Sequence, residues 1–320
     1  MGSIRIGARI NLIKNRSYLL KTSSQPFELL SRFNASNCIG LPVAEKIRLL
    51  ENIFNSFDAV HLSFAAFVQG LLDQTIWREW DYDDHFYRSC CLELASKIDH
   101  LNNSMGSEPA YHSRKHFQDV CISLTLLLSQ NVMAGENQSE DAWNIDVPSK
   151  WLLLLCAISH DIGHNGSRNA YACELESKSI NMTRHILESK MGNLDRVNKV
   201  MEILDPVVMA TDPASFNQLS AQIKNQNSNL ERLTVLSALM VEADLLASVL
   251  PQHGELLGKR LGLEWSSDNP DLGILVASKE GRLNFLRKLQ FFSWQSATLG
   301  MPDILKVALE KLSSEIVEGK

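Results

Sequence analysis

Two pairs of histidines, each with three residues between the partners, stand out in this sequence: His112 with His116, and His160 with His164. This separation predicts that each pair lies on one face of an α-helix. Asp161 directly follows His160 and adds a carboxylate. Neutral imidazole binds zinc and other transition metals, whereas carboxylate oxygen prefers magnesium or manganese. The mixed set therefore predicts a two-metal hydrolytic centre.

A further carboxylate, Asp244, lies in a segment that is apolar on nearly every side, residues 234–250. A helix of this composition is buried, and an unpaired carboxylate inside it costs several kcal/mol. A structural Arg or Lys partner would satisfy Asp244, and so would a metal ion. Asp161 needs a partner for the same reason, because it follows another apolar segment. One metal ion shared by the two carboxylates would satisfy both.

The elements that carry these residues have the pattern of helices. The first histidine pair opens a segment that stays apolar to residue 128, and a helix from Trp151 delivers His160 and Asp161 at its end. Gly163 and Gly166 then break that helix and let the backbone approach the site. Because no run alternates with the period of a strand, we predict an all-α, single-domain fold. Further helices are expected from about residue 41 and over 91–101, 170–190, 194–211, 230–250, 275–299 and 303–316, with polar loops at 135–149, 217–229 and 264–273.

Composition argues against several classes of function. The net charge of −6 and the lack of a Lys/Arg cluster argue against a positively charged surface that would bind nucleic acid. The longest apolar run near the motifs, residues 151–158, is far shorter than the roughly 20 residues that span a bilayer, and the N-terminus has no secretory apolar region. Six cysteines without a C-x-x-C pair are expected to be buried free thiols. We therefore expect a soluble cytoplasmic protein with no nucleic-acid or membrane partner.

A group of aromatic residues between 77 and 87 has two interpretations. It could stack against a nucleobase, or it could form the aromatic core of the N-terminal helices, which is the interpretation favoured here. The residues are Trp77, Trp80, Tyr82, Phe86 and Tyr87.

The order H-x-x-x-H, then H-D, then a distant D resembles the HD superfamily of metal-dependent phosphohydrolases. The resemblance narrows to class I 3′,5′-cyclic nucleotide phosphodiesterases, with order and spacing in agreement from about residue 77 to 300. It implies an all-helical catalytic domain over residues 77–320, with 1–76 as a helical segment packed on it. Four stretches resemble the family's Y-H-N-x-x-H-A-x-D-V, H-D-x-x-H-P-G-x-x-N, A-T-D and A-D-L, in this order: residues 111–120, 160–169, 210–212 and 243–245.

The resemblance implies a role for each motif residue. The tightly bound metal, commonly zinc, would be held by His116, His160, Asp161 and Asp244. Asp161 would also bridge to a second ion, usually magnesium or manganese, and water activated between the ions would attack phosphorus. His112 would be the general acid that protonates the leaving O3′.

Four more residues receive supporting roles from the same resemblance. His164 and Asp212 would order metal-bound water and the phosphate as part of the catalytic machinery. Tyr111 and Asn169 belong to the same motifs and are assigned to substrate binding. The implied substrate is a small nucleotide or phosphoester.

The part of the site that reads the base departs from the family pattern. The family's A-D-L-S-N-P becomes Ala-Asp-Leu-Leu-Ala-Ser at 243–248, which removes an asparagine beside the base. The nearest counterpart of the family's Q-x-G-F segment is 278–283, which puts Lys279 at the purine-binding glutamine and Arg282 at the aromatic clamp. A lysine only donates hydrogen bonds, so we expect an altered substrate preference. Both cations could equally be solvated charges on a helix.

Three functions remain open at this point. The first is two-metal hydrolysis of a 3′,5′-cyclic nucleotide to the 5′-monophosphate, and the second is HD-type hydrolysis of another nucleotide or phosphoester. The third is a catalytically inactive relative that binds a ligand or partner protein. The intact metal and acid positions argue against the third. If the alignment at 278–283 is wrong, Gln290 or Gln295 becomes the candidate for reading the base.

Overall fold

The computed structural model describes residues 25–33, 38–80, 85–104, 106–130, 142–226 and 230–319. Over these residues the secondary structure is helical and has no β-strand, which confirms the all-α prediction. After a helical stretch at 25–32, the α-helices are α1 Val43–Asp58, α2 Phe64–Leu72, α3 Thr75–Glu79, α4 Phe86–Ser104, α5 Arg114–Leu128, α6 Val147–Ser159, α7 Glu174–Met191, α8 Leu194–Met209, α9 Phe216–Gln226, α10 Arg232–Val249, α11 His253–Trp265, α12 Pro270–Ala277, α13 Lys279–Leu286, α14 Trp294–Leu299 and α15 Met301–Val317.

Three helices that are apolar on almost every side, α5, α6 and α10, form the centre of the fold and pack against one another. Each is buried along most of its length, as expected for a helix without a polar face. α6 begins at a cap in which the Asp146 carboxylate accepts a hydrogen bond from the Ser149 N–H at 2.9 Å, with Pro148 in its first turn. Polar residues on these helices must find their partners inside the protein.

The aromatic residues near the N-terminal helices pack into the core, as favoured above. The Trp77 side chain is buried, its ring centroid lies 5.4 Å from that of Trp151, and its Nε1–H donates to Thr125 Oγ1 at 3.2 Å. Tyr82 lies outside the described residues. The other members of the group are partly buried against the same core: Trp80, Phe86 and Tyr87.

Two segments predicted as loops are largely helical. Residues 217–229 are rich in polar side chains, but α9 covers them to Gln226 because Phe216, Leu219 and Ile223 recur on one face. Their apolar face packs on α10, and this packing outweighs the polar composition. The predicted loop 264–273 is shorter in the structure, since α11 ends and α12 begins within it.

The prediction of one helix over 275–299 is wrong, because serines interrupt it. The Ser278 hydroxyl accepts a hydrogen bond from the Gly281 N–H at 3.0 Å and caps α13, and the Ser293 hydroxyl does the same for the Ser296 N–H at 3.0 Å in α14. The buried Glu242 carboxylate fixes the second break by accepting from the Ser293 N–H at 2.9 Å. A serine hydroxyl that competes for backbone N–H groups favours a cap over a helix interior.

Helices α11 and α12 pack very closely, because two glycines face each other where they meet. A Cβ placed on Gly262 would lie 2.5 Å from the carbonyl oxygen of Gly273, a distance that excludes any side chain. This contact fixes α11 at the edge of the central helices. The last turn of α11 carries Glu264, which enters the site described below.

The N-terminal helices pack on the rest of the chain. α1 contacts α5, α11 and α15, and most of the described apolar residues before residue 76 join the same core as the central helices. The division at residue 76 stays a prediction. All six cysteines are free, and five of them are buried. Among the described residues, no single helix is long and apolar enough to cross a bilayer; α10 and α11 pass that test only as a pair, bent by 98°.

Candidate active site

Four side chains from three helices meet at one point, and we call them the four-ligand cluster: His116 in the first turn of α5, His160 and Asp161 at the end of α6, and Asp244 inside α10. His116 Nε2 lies 3.2 Å from His160 Nε2 and 3.2 Å from Asp161 Oδ2. Asp244 Oδ1 lies 3.3 Å from His116 Nε2 and 3.7 Å from His160 Nε2. The structure thus brings together every residue that the resemblance assigns to the tight metal.

The donor atoms of this cluster are suited to a metal ion. His160 Nδ1 lies 3.1 Å from the carbonyl oxygen of Ala157, so Nδ1–H donates to that carbonyl and Nε2 turns its lone pair toward the other three residues. Asp244 Oδ1 is buried and makes no hydrogen bond of good geometry within the described part of the chain. A buried carboxylate oxygen without a donor needs a cation, and two imidazole nitrogens with two carboxylates form a ligand set for zinc.

The electrostatics of the cluster show the same demand for positive charge. Burial alone would lower the pKa of His116, but the carboxylates of Asp161 and Asp244 outweigh it and raise that pKa to about 10. Burial would raise the pKa of Asp161, but the imidazoles of His160 and His116 hold it well below its usual range. The two carboxylates therefore stabilise a cation at this place, which a metal ion or a proton can provide.

The prediction that each histidine pair lies on one face of a helix is wrong. Helix α5 begins at Arg114, so His112 precedes it, and His164 follows α6 in a turn where Gly163 has φ 79°. Instead, each histidine lies next to a histidine of the other pair. The ring centroids of His112 and His164 are 3.6 Å apart, and those of His116 and His160 are 5.2 Å apart. The histidines converge because two helix ends meet, not because one helix presents each pair.

His112 is held between the cluster and a carboxylate that the sequence analysis missed. Its Nε2 lies 4.0 Å from Asp161 Oδ2, and its Nδ1 lies 2.5 Å from Glu264 Oε1. Glu264 Oε2 also accepts hydrogen bonds from the backbone N–H groups of Tyr111 at 2.7 Å and His112 at 3.0 Å. Burial raises the pKa of Glu264, but His112 and these N–H groups outweigh it and lower that pKa. An ionised Glu264 fixes Nδ1–H of His112 and turns Nε2 toward the cluster.

Glu264 gave no usable signal in the sequence. It stands in an amphipathic segment about 150 residues from His112, where a glutamate is normally a solvated helix residue. Only its burial, with a side chain that is 4% exposed, sets it apart.

His164 stays neutral in this environment. Its Nδ1 accepts a hydrogen bond from the Gly166 N–H at 3.0 Å, which leaves the second ring nitrogen as the N–H donor of the neutral ring. Burial, with a further contribution from His112, lowers the pKa of His164 to about 4. A neutral imidazole can donate one hydrogen bond to phosphate or water without adding charge.

Asp212 and Asn169 bond to neighbouring backbone and side chains near the cluster. The buried Asp212 carboxylate accepts from the Cys173 N–H at 2.6 Å and from the Ala214 N–H at 2.9 Å. Asn169 donates to Glu176 Oε2 at 3.0 Å. Glu176, in the first turn of α7, is a second buried carboxylate that the sequence analysis missed, and burial raises its pKa. These contacts place all three polar side chains at the start of α7, while their roles toward substrate stay predictions.

The residues assigned to substrate binding fall in different places. The Tyr111 ring centroid lies 4.7 Å from that of His116, beside the cluster. Lys279 makes an ion pair with Glu315 of α15 at 2.7 Å. The Arg282 guanidinium donates to the carbonyl oxygens of Leu250 at 2.7 Å and Pro251 at 2.9 Å, the corner between α10 and α11. These contacts of Lys279 and Arg282 involve no member of the four-ligand cluster, and their contact with a base stays a prediction.

The two glutamines named as further candidates also differ. Gln295 is buried and its amide donates to the carbonyl oxygen of Trp143 at 2.7 Å, in the segment before α6 and so at the end of α6 remote from His160. Gln290 is solvent-accessible, and it lines a cleft together with Leu245, the residue that follows Asp244. Of the two, Gln290 has the better position for a base.

The helical fold and its His/Asp cluster fit a metal-dependent phosphohydrolase, and comparison with known proteins narrows the family. Residues 111–255 match the family described as 3′5′-cyclic nucleotide phosphodiesterase. The match supports a class I cyclic nucleotide phosphodiesterase domain over residues 111–255, in a family of metal-dependent hydrolases. The match includes all the motif residues but ends before Glu264 and before 278–283, where the sequence departs from the family.

Solved structures share the fold at low sequence identity. The phosphodiesterase domain of Salpingoeca rosetta rhodopsin phosphodiesterase is 19% identical, with a TM-score of 0.52, and the match covers 80% of this chain and 96% of that one. The structure of LmjPDEB1 in complex with IBMX is 15% identical, with a TM-score of 0.54, covering 82% of this chain and 99% of that one. No curated protein matches the sequence.

Proposed function

We propose that this chain hydrolyses a 3′,5′-cyclic nucleotide to the 5′-monophosphate. Zinc would occupy the four-ligand cluster, and magnesium or manganese would share Asp161. The convergence of His116, His160, Asp161 and Asp244 within 3.1–3.7 Å carries this proposal, because such a set has no purpose in a helical core except to hold a cation. Bound there, the metal ions would polarise the phosphate and lower the pKa of a water nucleophile.

The chain's own residues would handle the protons and the orientation of the phosphate. His112 Nε2 would donate its proton to the leaving O3′, since the Glu264 carboxylate holds Nδ1–H and turns Nε2 toward the cluster. As that proton leaves, the imidazole keeps its orientation because Nδ1–H stays bonded to Glu264. The neutral His164, stacked on His112, would donate a hydrogen bond to phosphate or water, and Asp212 would order water beside it.

The base preference is where this chain is proposed to differ from its relatives. Ala247 stands where the family has asparagine, so one amide beside the base is lost. Lys279 would have to leave its ion pair with Glu315 to reach a base. We therefore propose weak discrimination between cyclic AMP and cyclic GMP. Free cysteines support a reducing location, which we propose to be the cytoplasm.

A hydrolysis panel on purified protein tests this function. The panel holds cyclic AMP, cyclic GMP and nucleoside mono-, di- and triphosphates, each assayed with zinc, magnesium and manganese, and metal content is measured on the same preparation. Turnover of cyclic nucleotides with metal bound supports the proposal. Turnover of only the non-cyclic substrates would point to another phosphoester, and bound metal without turnover to a binding protein.

A further inference from the structure

A buried group of charged residues joins α1, α5 and the start of α11, outside the four-ligand cluster. His253, the first residue of α11, is almost fully buried, and its Nε2 lies 2.9 Å from Oδ2 of Asp119, which is buried as well. The His253 ring packs on Phe54, with centroids 4.9 Å apart. Burial lowers the pKa of His253, but Asp119 outweighs it and raises that pKa. Nε2–H of His253 therefore donates to Asp119 in a water-poor environment.

The backbone at the start of α11 is fixed by a second carboxylate. Glu51 of α1 accepts hydrogen bonds from the Gln252 N–H at 2.7 Å and from the His253 N–H at 3.1 Å. The first N–H groups of a helix have no partner within the helix, so a buried carboxylate there holds them firmly. Helix α11 cannot shift along its axis without breaking these bonds and the one to Asp119.

The other end of α11 is fixed to the same stretch of chain. Glu264, eleven residues after His253, bonds to the backbone N–H groups of Tyr111 and His112 and to Nδ1 of His112. Over that length an α-helix rises roughly 16 Å. Helix α11 therefore has one polar anchor at Asp119 and another at residues 111–112, on either side of the first turn of α5.

We propose that His253 is a positioning residue for the general acid. Its bond to Asp119 sets the place of α11 beside α5, and α11 in turn holds the Glu264 carboxylate against His112. His253 acts through Glu264 and has no contact with the four-ligand cluster among its described contacts. This inference rests on the proposed role of His112, since a displacement of about 1 Å at a positioned catalytic group costs up to 10²-fold in rate.

Two substitutions of His253 introduce the same amide group on side chains of different length. The amide of His253→Gln reaches Asp119 and can donate to it, whereas the same amide in His253→Asn is too short. Lys259→Ala is the control, because Lys259 is exposed on the same helix and pairs with Glu255 of that helix at 2.6 Å. Turnover is measured on a cyclic nucleotide and on bis(p-nitrophenyl) phosphate, whose leaving group needs no proton.

We expect His253→Asn to lower kcat on the cyclic nucleotide by about 10–100-fold, part of the 10²–10⁴-fold of a positioned acid. The loss on bis(p-nitrophenyl) phosphate should be much smaller, and His253→Gln should restore most of the activity. Combined with Glu264→Gln, His253→Asn should add little to the loss caused by Glu264→Gln alone. Equal losses on both substrates, or full additivity, would overturn the proposal and leave His253 as a purely structural residue.

An NMR measurement decides the question without turnover. The Nδ1 proton of His112, bound to Glu264, should give a downfield resonance that Glu264→Gln removes, His253→Asn shifts or removes, and His253→Gln and Lys259→Ala leave in place. An unchanged resonance in His253→Asn contradicts the proposal. If the unmodified protein hydrolyses neither substrate, the proposed function fails while this resonance still tests the positioning. Should His253→Asn not fold, Asp119→Ala, which removes the acceptor for His253 Nε2–H, replaces it with the same expectations.

Discussion

At the scale of single residues, the proposed metal ligands and the proposed acid have different surroundings. The four-ligand cluster presents lone pairs and negative charge, while His112 faces it from 4.0 Å with its other nitrogen held by Glu264. The neutral His164 stacks on the His112 ring, with centroids 3.6 Å apart. The two stacked imidazoles differ in the partner of Nδ1. For His112 this partner is a carboxylate, which accepts a proton, and for His164 it is a backbone N–H, which donates one.

The first prediction at this scale concerns the ligands. Asp244→Ala and His116→Ala each delete one donor from the cluster, so we expect purified variants to lose the tightly held transition metal that the unmodified protein carries at about one per chain. Metal analysis by mass spectrometry after dialysis measures the loss. Asp268→Ala, an exposed carboxylate, is the control that should keep the metal. Full metal occupancy in both cluster variants would refute the ligand assignment.

The second prediction concerns the acid. His112→Ala should keep the metal but lower kcat on cyclic nucleotides by about 10²–10⁴-fold, the usual effect of removing a positioned general acid. The loss should be much smaller for a p-nitrophenolate leaving group, which departs without a proton. His100→Ala removes an exposed histidine and should leave both rates unchanged. If good and poor leaving groups suffer alike, His112 is not the acid.

At the scale of elements, the site depends on where helices end. His112 precedes α5, and His160 and Asp161 stand where α6 stops, so the side chains converge from helix ends rather than from helix faces. Helix α11 contributes only Glu264 directly, yet it is held by bonds at both ends and by the glycine contact with α12. The position of α11 therefore determines where the Glu264 carboxylate meets His112.

That glycine contact predicts that two Gly→Ala substitutions in α11 change the free energy of unfolding in opposite directions. Gly262→Ala would place a Cβ 2.5 Å from the Gly273 carbonyl, and we expect it to lower the free energy of unfolding by about 1–3 kcal/mol through overpacking. Gly258→Ala meets its nearest atom, the Val276 carbonyl oxygen, at 3.9 Å, so it should be neutral or stabilise the helix by about 0.5–1 kcal/mol. Urea unfolding of both variants checks the contrast. A destabilised Gly258→Ala would show that α11 tolerates no change along this face.

The elements also show what the sequence could and could not predict. Hydrophobic periodicity and apolar composition were sufficient to predict α5, α6 and α10, because a helix that is buried on all sides is rich in apolar residues. The break at Ser293 could not be predicted, since it depends on Glu242, a residue some fifty positions earlier in the chain. Glu264 was missed for the same reason: its partners are distant in sequence, so the residues around Glu264 do not indicate them.

At the scale of the whole molecule, the four-ligand cluster joins the three central helices. Its four donors come from α5, α6 and α10, the three helices at the centre, so filling the site adds a link between helices that already pack on one another. Ligand binding to the folded state stabilises it by mass action. Folding and metal loading are therefore expected to be coupled, and the pH dependence of stability should differ between the loaded and the metal-free protein.

Two pKa shifts at the site contribute to that pH dependence in the metal-free protein. The pKa of His116 is raised to about 10, so its contribution to stability is complete below its unfolded value of about 6.5 and is lost as pH rises toward 10. The pKa of His164 is lowered to about 4, so its contribution is complete above about 6.5 and is lost as pH falls toward 4. The two contributions overlap near pH 6.5.

We therefore expect the melting temperature of metal-stripped protein, followed by circular dichroism in chelator, to peak near pH 6.5 and to fall by several degrees toward pH 9. Zinc-loaded protein should not show the alkaline decline, because the metal replaces the proton between the carboxylates and binds more tightly as protons become scarce. His116→Gln, which cannot hold that proton, should weaken the alkaline decline even without metal; the raised pKa values of His160 and His253 leave the remainder. A melting temperature of stripped protein that rises steadily from pH 6.5 to 9 would show that Asp161 and Asp244 do not hold a proton on His116.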